Sequence, residues 1–534
     1  MQGRNPINRI WIALALVVAL GLSARTAWQN RDAPQFGFLH DDGLYLVSAK
    51  SLAEGSGYKL ESFPGSPDHT KYPPGYPFLL SLAWKLGGGY PGVLRWATLL
   101  GWLTIPVSVA LSMLLFKRFG MSEAGAGLLG VSLTLNPYIT LFGTSLLTES
   151  AFLCFLLVSF LLVAPVNAPK TFLSALAGAA AFLTRSAGIV LLLTEPVALI
   201  LRRKKRAAAV FLCVMAPAVI AWMTWARLHT PPAGPDWILT YYTNYFAYQL
   251  QNTPISIFHI VLWKNLDSLM YSMGSLVFPK VFDLLAAKIM AQVISLAMIA
   301  GVIRLVRRVP ASRDYAIFAA GSVGLLLIWH FPPTERFLLP LAPLLFAGLL
   351  TELEYLAGLI SSALHKDVLH RIAATLMGAI AAVFLVGCIL LQVWVGQLYM
   401  PRIAQQWRER RVERQPAYQW IRENTPADAI FVAYDDGPLY LETGRHAFAV
   451  PLPTRYWYVE DYTHQVDIYR NIHELARNHG ARYVYYSRND LDRDAAPNQR
   501  SAVERAMRDN VHLRPIWEGA RSVIFEVRED APAK

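Results

Sequence analysis

One apolar stretch decides the class of fold: residues Val93–Phe116 read VLRWATLLGWLTIPVSVALSMLLF. Only Arg95 interrupts it with a charge, and about 20 apolar residues are enough for a helix to cross the hydrocarbon core of a bilayer. Similar runs recur at Ile10–Trp28, Leu141–Ala164, Ala207–Trp225, Leu284–Ile303 and Ile372–Leu398. Hydrophobic residues make up 54% of the 534 residues and charged residues only 16%. The sequence therefore predicts an α-helical polytopic membrane protein and excludes an entirely soluble one.

The basic residues orient these predicted helices. The formal net charge is +12, and lysines and arginines are concentrated in short loops between apolar runs, at Lys117-Arg118, Arg202–Arg206, Arg304–Arg313 and Lys366–Arg371. Because short basic loops stay in the cytoplasm, the pattern predicts about eleven crossings, with the N-terminus inside and the segment after Met400 outside. The same pattern makes a basic surface for nucleic acid the weaker interpretation, so we expect no nucleic-acid partner.

The segment Phe172–Leu201 leaves the helix count open. It is long for one crossing and short for two, and Arg185 lies at its middle. We predict a hairpin of two short helices with its tip outside. The first apolar run is interpreted as a retained anchor, since no small-residue cleavage site follows it. The three cysteines all lie in apolar runs, so no disulfide framework is expected.

Composition divides the chain into four predicted regions. They are a first transmembrane anchor (1–28), a first extracytoplasmic loop with interfacial helices and an acidic pair (29–92), a transmembrane bundle with a second long outside loop at about 227–283 (93–399), and a small extracytoplasmic α/β domain (400–534).

The last region alternates helical and strand patterns. Helices are predicted at Val412–Glu423, Val466–Asn478 and Ala502–Asp509, and strands at Ala429–Tyr434, Arg482–Ser487, His512–Trp517 and Ser522–Val527. No Gly-rich phosphate loop opens any of these helices. We therefore expect an accessory domain without a nucleotide site.

The first outside loop carries the strongest candidates for chemistry. Asp41 and Asp42 precede residues of roughly helical spacing, which predicts an amphipathic helix lying on the membrane with the acidic pair at its N-terminus. Capping of that helix is by itself a sufficient explanation for two carboxylates there. Downstream, Lys71-Tyr72-Pro73-Pro74-Gly75-Tyr76-Pro77 predicts a rigid elbow, because proline fixes φ.

These motifs occur in an order that resembles a known family. Asp41-Asp42-x-x-Tyr45, then Leu52-Ala53-Glu54-Gly55-x-Gly57-Tyr58 and the Lys71 elbow, are similar to the GT-C membrane glycosyltransferases, in particular to the branch of ArnT-like aminoarabinose transferases and dolichyl-phosphate-mannose-protein mannosyltransferases. Further matching segments are Leu147–Ser150, Leu183–Gly188, Arg336–Pro340 and Trp420–Pro426. The resemblance covers most of the chain, although each motif alone is weak.

The resemblance implies a GT-C-like fold and a set of site residues. In that family an acidic residue of the first outside loop acts as base, or as a metal or acceptor partner, while the sugar leaves a polyprenyl phosphate. Asp41 matches the first acidic position. Asp42, the supporting residue, stands where the family commonly has glutamate. Cations are needed for the donor phosphate, and the candidates are Lys71, Arg185 and Arg336; the alternative for both arginines is snorkelling at helix ends.

Glu149 and Tyr45 are candidates for a second acidic or acceptor site, with an interfacial acid as the alternative for Glu149. No tightly bound cofactor is expected, and a need for a divalent metal stays open.

The predicted function is transfer of a sugar from a polyprenyl-phosphate-linked donor to a lipid, protein or glycan acceptor. The predicted place is the extracytoplasmic face of a bacterial-type inner membrane, with membrane lipids as further partners. The alternatives are a transporter or flippase, a non-catalytic cell-envelope assembly protein, and an oligosaccharide ligase or polymerase. The candidate functional charges are predicted at one face of the membrane rather than at the bilayer midplane, which favours the enzyme over a transporter.

Overall fold

The structure, a computed structural model, describes residues 6–163, 167–232, 236–364, 368–460, 463–492 and 497–528. The chain forms two compact units, each built from three separate segments. A helical unit comprises Met1–Arg31, Thr98–Trp222 and Leu262–Ile403, and a sheet unit comprises Asp32–Ala97, Met223–Val261 and Ala404–Lys534, as far as these are described. The basic-loop residue Lys366 lies outside the described residues.

Helices make up most of the structure. Those that belong wholly or largely to the helical unit are α1 (Pro6–Gln29), α4 (Val93–Arg118), α5 (Glu123–Leu135), α6 (Pro137–Gly143), α7 (Glu149–Val163), α8 (Ala168–Thr184), α9 (Ile189–Leu201), α10 (Lys205–His229), α13 (Phe258–Ser275), α14 (Leu285–Arg308), α15 (Arg313–Leu327), α16 (Glu335–Leu338), α17 (Ala342–Leu364) and α18 (Val368–Trp394).

Six helices in the described part of the chain are long and apolar enough to cross a membrane, and seven if the bent pair α5–α6 forms one span. The six lie at Arg9–Gln29, Val93–Arg118, Lys205–His229, Leu285–Arg308, Glu335–Ala363 and His370–Asn424. Helices α7 and α9 are apolar but shorter. About eleven crossings therefore remain a prediction, whereas a helical membrane fold with several long apolar helices is what the structure has.

Two predicted apolar segments are interrupted by polar residues. In Phe172–Leu201 the chain leaves helical geometry at Arg185, whose φ of −151° and ψ of 126° separate α8 from α9. The run Leu141–Ala164 is broken between α6, which ends at Gly143, and α7, which begins at Glu149. The Thr144 and Ser145 hydroxyls just after α6 donate to the carbonyls of Thr140 and Leu141. Both breaks bring a titratable side chain to a helix end, Arg185 in the first and Glu149 in the second.

The sheet unit contains a five-stranded mixed sheet with the order β2-β1-β3-β5-β4. Its strands are β1 (Ile430–Ala433), β2 (His446–Phe448), β3 (Tyr483–Ser487), β4 (Leu513–Glu518) and β5 (Ser522–Val527). The pairs β1–β2 and β1–β3 are parallel, and β5 pairs antiparallel with β3 and β4. Its helices are α2 (Asp41–Glu54), α3 (Gly75–Gly87), α11 (Trp237–Thr243), α12 (Tyr245–Asn252), α19 (Met400–Asn424), α20 (Asp436–Thr443), α21 (Thr454–Val459), α22 (Thr463–Arg470), α23 (Ile472–Asn478) and α24 (Pro497–Arg508).

Both faces of the sheet are buried, each by different segments. Side chains alternate along a strand, so Phe431 packs on one face with Tyr418 of α19, and Val432 packs on the other. On that second face the core includes Leu44 of α2 and Ile238 of α11. The two loops predicted to lie outside the membrane therefore share one hydrophobic core with the C-terminal sheet.

The predicted C-terminal elements correspond closely to the observed ones, with four differences. The predicted helix Val466–Asn478 is two helices, α22 and α23, and the elements α20, β2 and α21 were not predicted. Near the acidic pair, α2 does begin at Asp41, but the amphipathic, membrane-lying helix predicted there is wrong. Its residues from Asp42 to Ala49 are all buried, because neighbouring parts of the sheet unit surround it.

Candidate active site

At the start of α2, the adjacent residues Asp41 and Asp42 face different surroundings. Asp42 is buried and accepts hydrogen bonds from the backbone N–H groups of Gly37 (3.2 Å) and Gly43 (2.8 Å). Gly37 has a φ of 91°, a conformation that favours glycine. Pro438 also leaves no room for a side chain at position 37, since a Cβ added to Gly37 would lie 2.6 Å from the proline Cγ. Asp42 thus ties the chain into the turn that leads to Asp41.

Asp41 is half-buried and faces the proline elbow. The Tyr72 hydroxyl donates to Asp41 Oδ1 at 2.7 Å. Burial, and next the Asp41 carboxylate, raise the pKa of Tyr72 well above its ordinary value, so this hydroxyl stays protonated and remains a donor. The Tyr45 ring packs against the Tyr72 ring with centroids 5.0 Å apart, and Tyr76 lies edge-on to Tyr45. Tyr45 therefore supports the tyrosine that orients Asp41.

Lys71 lies in a cage of tyrosine rings. Its Nζ is 3.6 Å from the ring centroid of Tyr241, 4.4 Å from that of Tyr245 and 5.3 Å from that of Tyr72. The side chain is buried, and Nζ has no hydrogen-bond acceptor among the residues that the structure describes. Burial lowers the pKa of Lys71 to about 8, against the opposing effect of the carboxylates Asp41 and Asp436. Ring faces stabilise an ammonium but accept no conventional hydrogen bond, so this cation can still take up an anion.

The C-terminal segment of the sheet unit contributes a further carboxylate to the cluster around Lys71. Asp436, at the first residue of α20, is buried; its Oδ1 lies 3.1 Å from His40 Nε2, and the Tyr242 hydroxyl donates to its Oδ2 at 2.6 Å. The other ring nitrogen of His40 is 3.2 Å from the Tyr241 hydroxyl. His40 has a φ of 62°, which few residues with a side chain adopt. Asp436 thus orients His40 and, through it, the ring against which Lys71 rests.

A buried histidine, His69, packs against the cluster beneath Tyr72. His69 Nδ1 is 2.6 Å from the Ser48 hydroxyl, and its ring lies edge-on to Tyr72 with centroids 5.6 Å apart. Burial lowers the pKa of His69 to about 3, so the ring is neutral at physiological pH. We assign it to packing beneath Tyr72.

The helical unit contains a second cluster of predicted residues. Glu149 Oε1 accepts from Arg185 Nη1 at 2.5 Å and also from Arg336 Nε. Arg185 Nη1 also donates to the Thr148 hydroxyl at 2.8 Å. Glu149 is fully buried, and its Oε2 has no hydrogen-bond partner within the described ranges. Two guanidinium groups share one carboxylate, so the three groups together carry a charge of +1 when ionised.

The structure thus brings the predicted residues together in two groups. Asp41, Lys71 and Tyr45 belong to the cluster in the sheet unit, and Glu149, Arg185 and Arg336 form the cluster in the helical unit. Convergence of Lys71 with the two arginines on one phosphate stays a prediction. Sequence reasoning overlooked Asp436, His40 and Tyr72 as partners. The concentration of tyrosines in Trp237–Tyr248 is the sequence signal that could have pointed to part of this cluster.

Among the described residues there is no group of three or more His, Cys, Asp and Glu side chains that could hold a metal ion. Asp41 and Asp42 do not form a joint carboxylate site, since Asp42 faces backbone N–H groups. The question of a divalent metal stays open.

Comparisons with known proteins assign the chain to a structural class. No protein-family model matches the chain, and no curated protein sequence matches it either. ArnT from Cupriavidus metallidurans is similar in structure, with a TM-score of 0.52 in the apo state and 0.50 when bound to undecaprenyl phosphate. In both comparisons the identity is 13% and 97% of this chain is covered, against 97% and 98% of the ArnT chain. The chain has the GT-C fold.

A second GT-C structure supports that assignment. The Archaeoglobus fulgidus oligosaccharyltransferase in complex with Zn and sulfate has a TM-score of 0.52 and 12% identity, with 89% of this chain and 68% of that chain covered. Identity this low establishes the fold alone. With the long apolar helices, the GT-C fold identifies a multi-pass membrane protein, and the predicted resemblance is confirmed at the level of fold.

Proposed function

We propose that the chain is an integral membrane glycosyltransferase that moves a sugar from a polyprenyl-phosphate-linked donor to a lipid, protein or glycan acceptor. The observation that carries the proposal is the pairing in one cluster of an oriented carboxylate, Asp41, with a buried ammonium, Lys71, that has no hydrogen-bond acceptor among the described residues. Sugar transfer from a lipid phosphate needs both groups, because a base must take the acceptor's proton and a cation must stabilise the leaving phosphate.

In this proposal Asp41 is the base. Tyr72 holds one of its oxygens at 2.7 Å, and the attacking hydroxyl or amine of the acceptor donates its proton to the carboxylate as the new glycosidic bond forms. The bond between the sugar and the phosphate oxygen breaks, and its electron pair leaves with the polyprenyl phosphate. Displacement from the opposite face inverts the anomeric carbon. The remaining contribution is positioning of the two substrates.

Cationic groups are assigned to the donor phosphate. The Lys71 ammonium, held in the cage of tyrosine rings, binds the phosphate as a point charge. Arg185 and Arg336 are the further candidates. Each guanidinium has five N–H donors: Arg185 uses Nη1 for Glu149 and Thr148, and Arg336 uses Nε for Glu149. Glu149 then acts as the group that fixes both arginines, and Asp42 as the group that fixes the turn at Asp41.

The localisation follows the predicted orientation. The proposal places the N-terminus in the cytoplasm and the sheet unit on the extracytoplasmic face of a bacterial-type inner membrane, where basic loops stay inside. The ArnT structure with bound undecaprenyl phosphate supports a polyprenyl-phosphate partner for a chain of this fold.

The test is transfer from a panel of radiolabelled polyprenyl-phosphate sugars in proteoliposomes that contain membrane lipid, protein and glycan acceptors. We expect wild-type transfer to fall by about 100- to 10,000-fold in Asp41→Asn, the range for loss of a general base. Asp428→Asn is the matched control, because Asp428 is an exposed carboxylate of the same unit. Its activity should equal that of the wild type.

Other outcomes would assign the chain to another function. Activity only with a diphosphate-linked oligosaccharide would favour a ligase or polymerase. An inert wild type, together with Asp41→Asn that still complements a deletion strain, would exclude the transferase and leave transport or envelope assembly.

A further inference from the structure

The segment that supplies the tyrosine cage has a second, outward-facing side. Tyr241 and Tyr248 are turned inward, against Lys71 and against each other. On the outward side Phe246 is 76% exposed, Leu250 is 65% exposed and Ile255 is 93% exposed. Phe246 and Leu250 are four residues apart, so they lie on the same face of α12.

This segment carries no charge. From Trp237 to Trp263 the sequence contains no Asp, Glu, Lys or Arg. Water-exposed segments normally carry charged side chains, since these are the residues that folding leaves outside. An exposed apolar face on an uncharged segment is therefore a surface that something apolar covers.

The position of the segment in the chain indicates that the lipid bilayer covers this apolar surface. The segment follows α10, one of the candidate spans, whose last turn exposes Leu228 at 75%. A segment with apolar residues on one face and polar or protein-facing residues on the other lies in the headgroup region when it leaves a membrane helix. Because it lacks lysine and arginine, its attachment would not depend on anionic lipids.

We infer that α12 and the following turn insert Phe246, Leu250 and Ile255 into the bilayer surface, so that the cage around Lys71 is held at the level of the lipid headgroups. One element then has two functions. Its inner face contacts the lysine and its outer face fixes the depth of that lysine relative to the membrane.

Photo-crosslinking tests this inference in the full chain. Benzoylphenylalanine is placed at position 246, 250 or 255, and the protein is reconstituted with radiolabelled phosphatidylcholine. Val511 is the matched control position, because it is an exposed apolar residue of the same unit. We expect label on the protein at all three positions and only background at 511. We also expect the same result in 1 M NaCl, where the Debye length is about 3 Å, and with anionic lipid added.

Three results would overturn it. They are lipid labelling at positions 246, 250 and 255 no higher than at 511, a crosslinked dimer band in place of lipid label (a second copy as the occupant), and labelling that disappears at high salt. All these positions are exposed, so the replacements remove no packed side chain.

A functional consequence rests on the proposed function. The double variant Phe246→Ser/Ile255→Ser should raise KM for the lipid-linked donor several-fold and leave kcat unchanged. Crosslinking needs no substrate, so it can succeed even where the transferase proposal fails.

Discussion

Lys71 illustrates how burial and neighbouring charge together set the state of one residue. Desolvation disfavours its ammonium, and two carboxylates partly offset that cost. The resulting pKa of about 8 lies close enough to physiological pH for the charge to be lost under mildly alkaline conditions.

This pKa gives a prediction for donor binding. The phosphodiester of a polyprenyl-phosphate sugar is ionised throughout pH 6 to 10, so with a donor whose sugar is neutral any change in KM over this range comes from the protein. We expect KM for the donor to rise as pH increases through about 8, where Lys71 loses its proton. In Asp41→Asn the break should move to lower pH, because the Asp41 carboxylate raises the pKa of Lys71.

Lys71→Arg is the control for this profile, since arginine stays protonated throughout the range. Its KM profile should have no break near pH 8. A wild-type KM that is flat from pH 7 to 10 would show that Lys71 does not bind the donor.

The adjacent aspartates should separate in their effects on stability. Asp42→Asn places an amide N–H₂ where a carboxylate oxygen accepts from Gly37 or Gly43. We expect the free energy of unfolding to fall by about 1–3 kcal/mol, the cost of a buried unsatisfied donor. Asp41→Asn should change it little, because an amide oxygen can still accept from Tyr72. Thermal unfolding of the two purified variants in detergent measures the difference. Equal midpoints would contradict the structural role of Asp42.

Among the helices and strands, the contact of α2 with α20 has the most direct effect on the site. The two helices approach through glycines: a Cβ added to Gly437 would lie 3.0 Å from Gly43 Cα. That spacing leaves no room for a side chain, and Asp436 is the residue immediately before it.

Gly437→Ala should therefore push α20 away from α2 and lengthen the bonds that Asp436 makes to His40 and Tyr242. We expect a loss of about 1–3 kcal/mol in stability, as for other overpacked sites, and weaker donor binding. Gly387→Ala is the control, since a methyl group there meets nothing within 4 Å. Unchanged donor affinity in Gly437→Ala would show that the Asp436 network does not support the cage.

At the scale of the whole molecule, the sheet unit is assembled from three distant segments. Leu44, Phe63 and Ile238 belong to the same core as Val432 and Phe525 of the sheet. The sheet therefore has an apolar face that its own segment cannot cover.

A fragment of residues 404–534 should consequently fail to form a native fold. It would expose the face that α2 and α11 cover, and burial of one large apolar side chain is worth about 1.5–3 kcal/mol. We expect weak near-ultraviolet circular dichroism and poor dispersion of amide resonances for the fragment. A fragment with a cooperative thermal transition would establish the sheet as an independent domain.

The sequence by itself determined the membrane class, the position of the longest helices, the start of α2 at Asp41 and most C-terminal strands. These properties depend on hydropathy, charge and side-chain periodicity over a few turns, which neighbouring residues set. Together with the resemblance to the GT-C glycosyltransferases, it also singled out Asp41, Lys71, Glu149, Arg185 and Arg336 as candidate site residues.

Only the tertiary structure decided which of these residues meet. Tyr242 and Asp436 are 194 positions apart, and Arg336 and Glu149 are 187 positions apart, so no local pattern indicates either contact. The prediction of an amphipathic α2 was wrong for the same reason: helical spacing gives the period of a helix, whereas packing by distant segments decides how many of its faces are buried. The tertiary structure also decided that Asp41 and Asp42 have different partners. The turn at Gly37 that places them packs against Pro438, which comes from the far end of the chain.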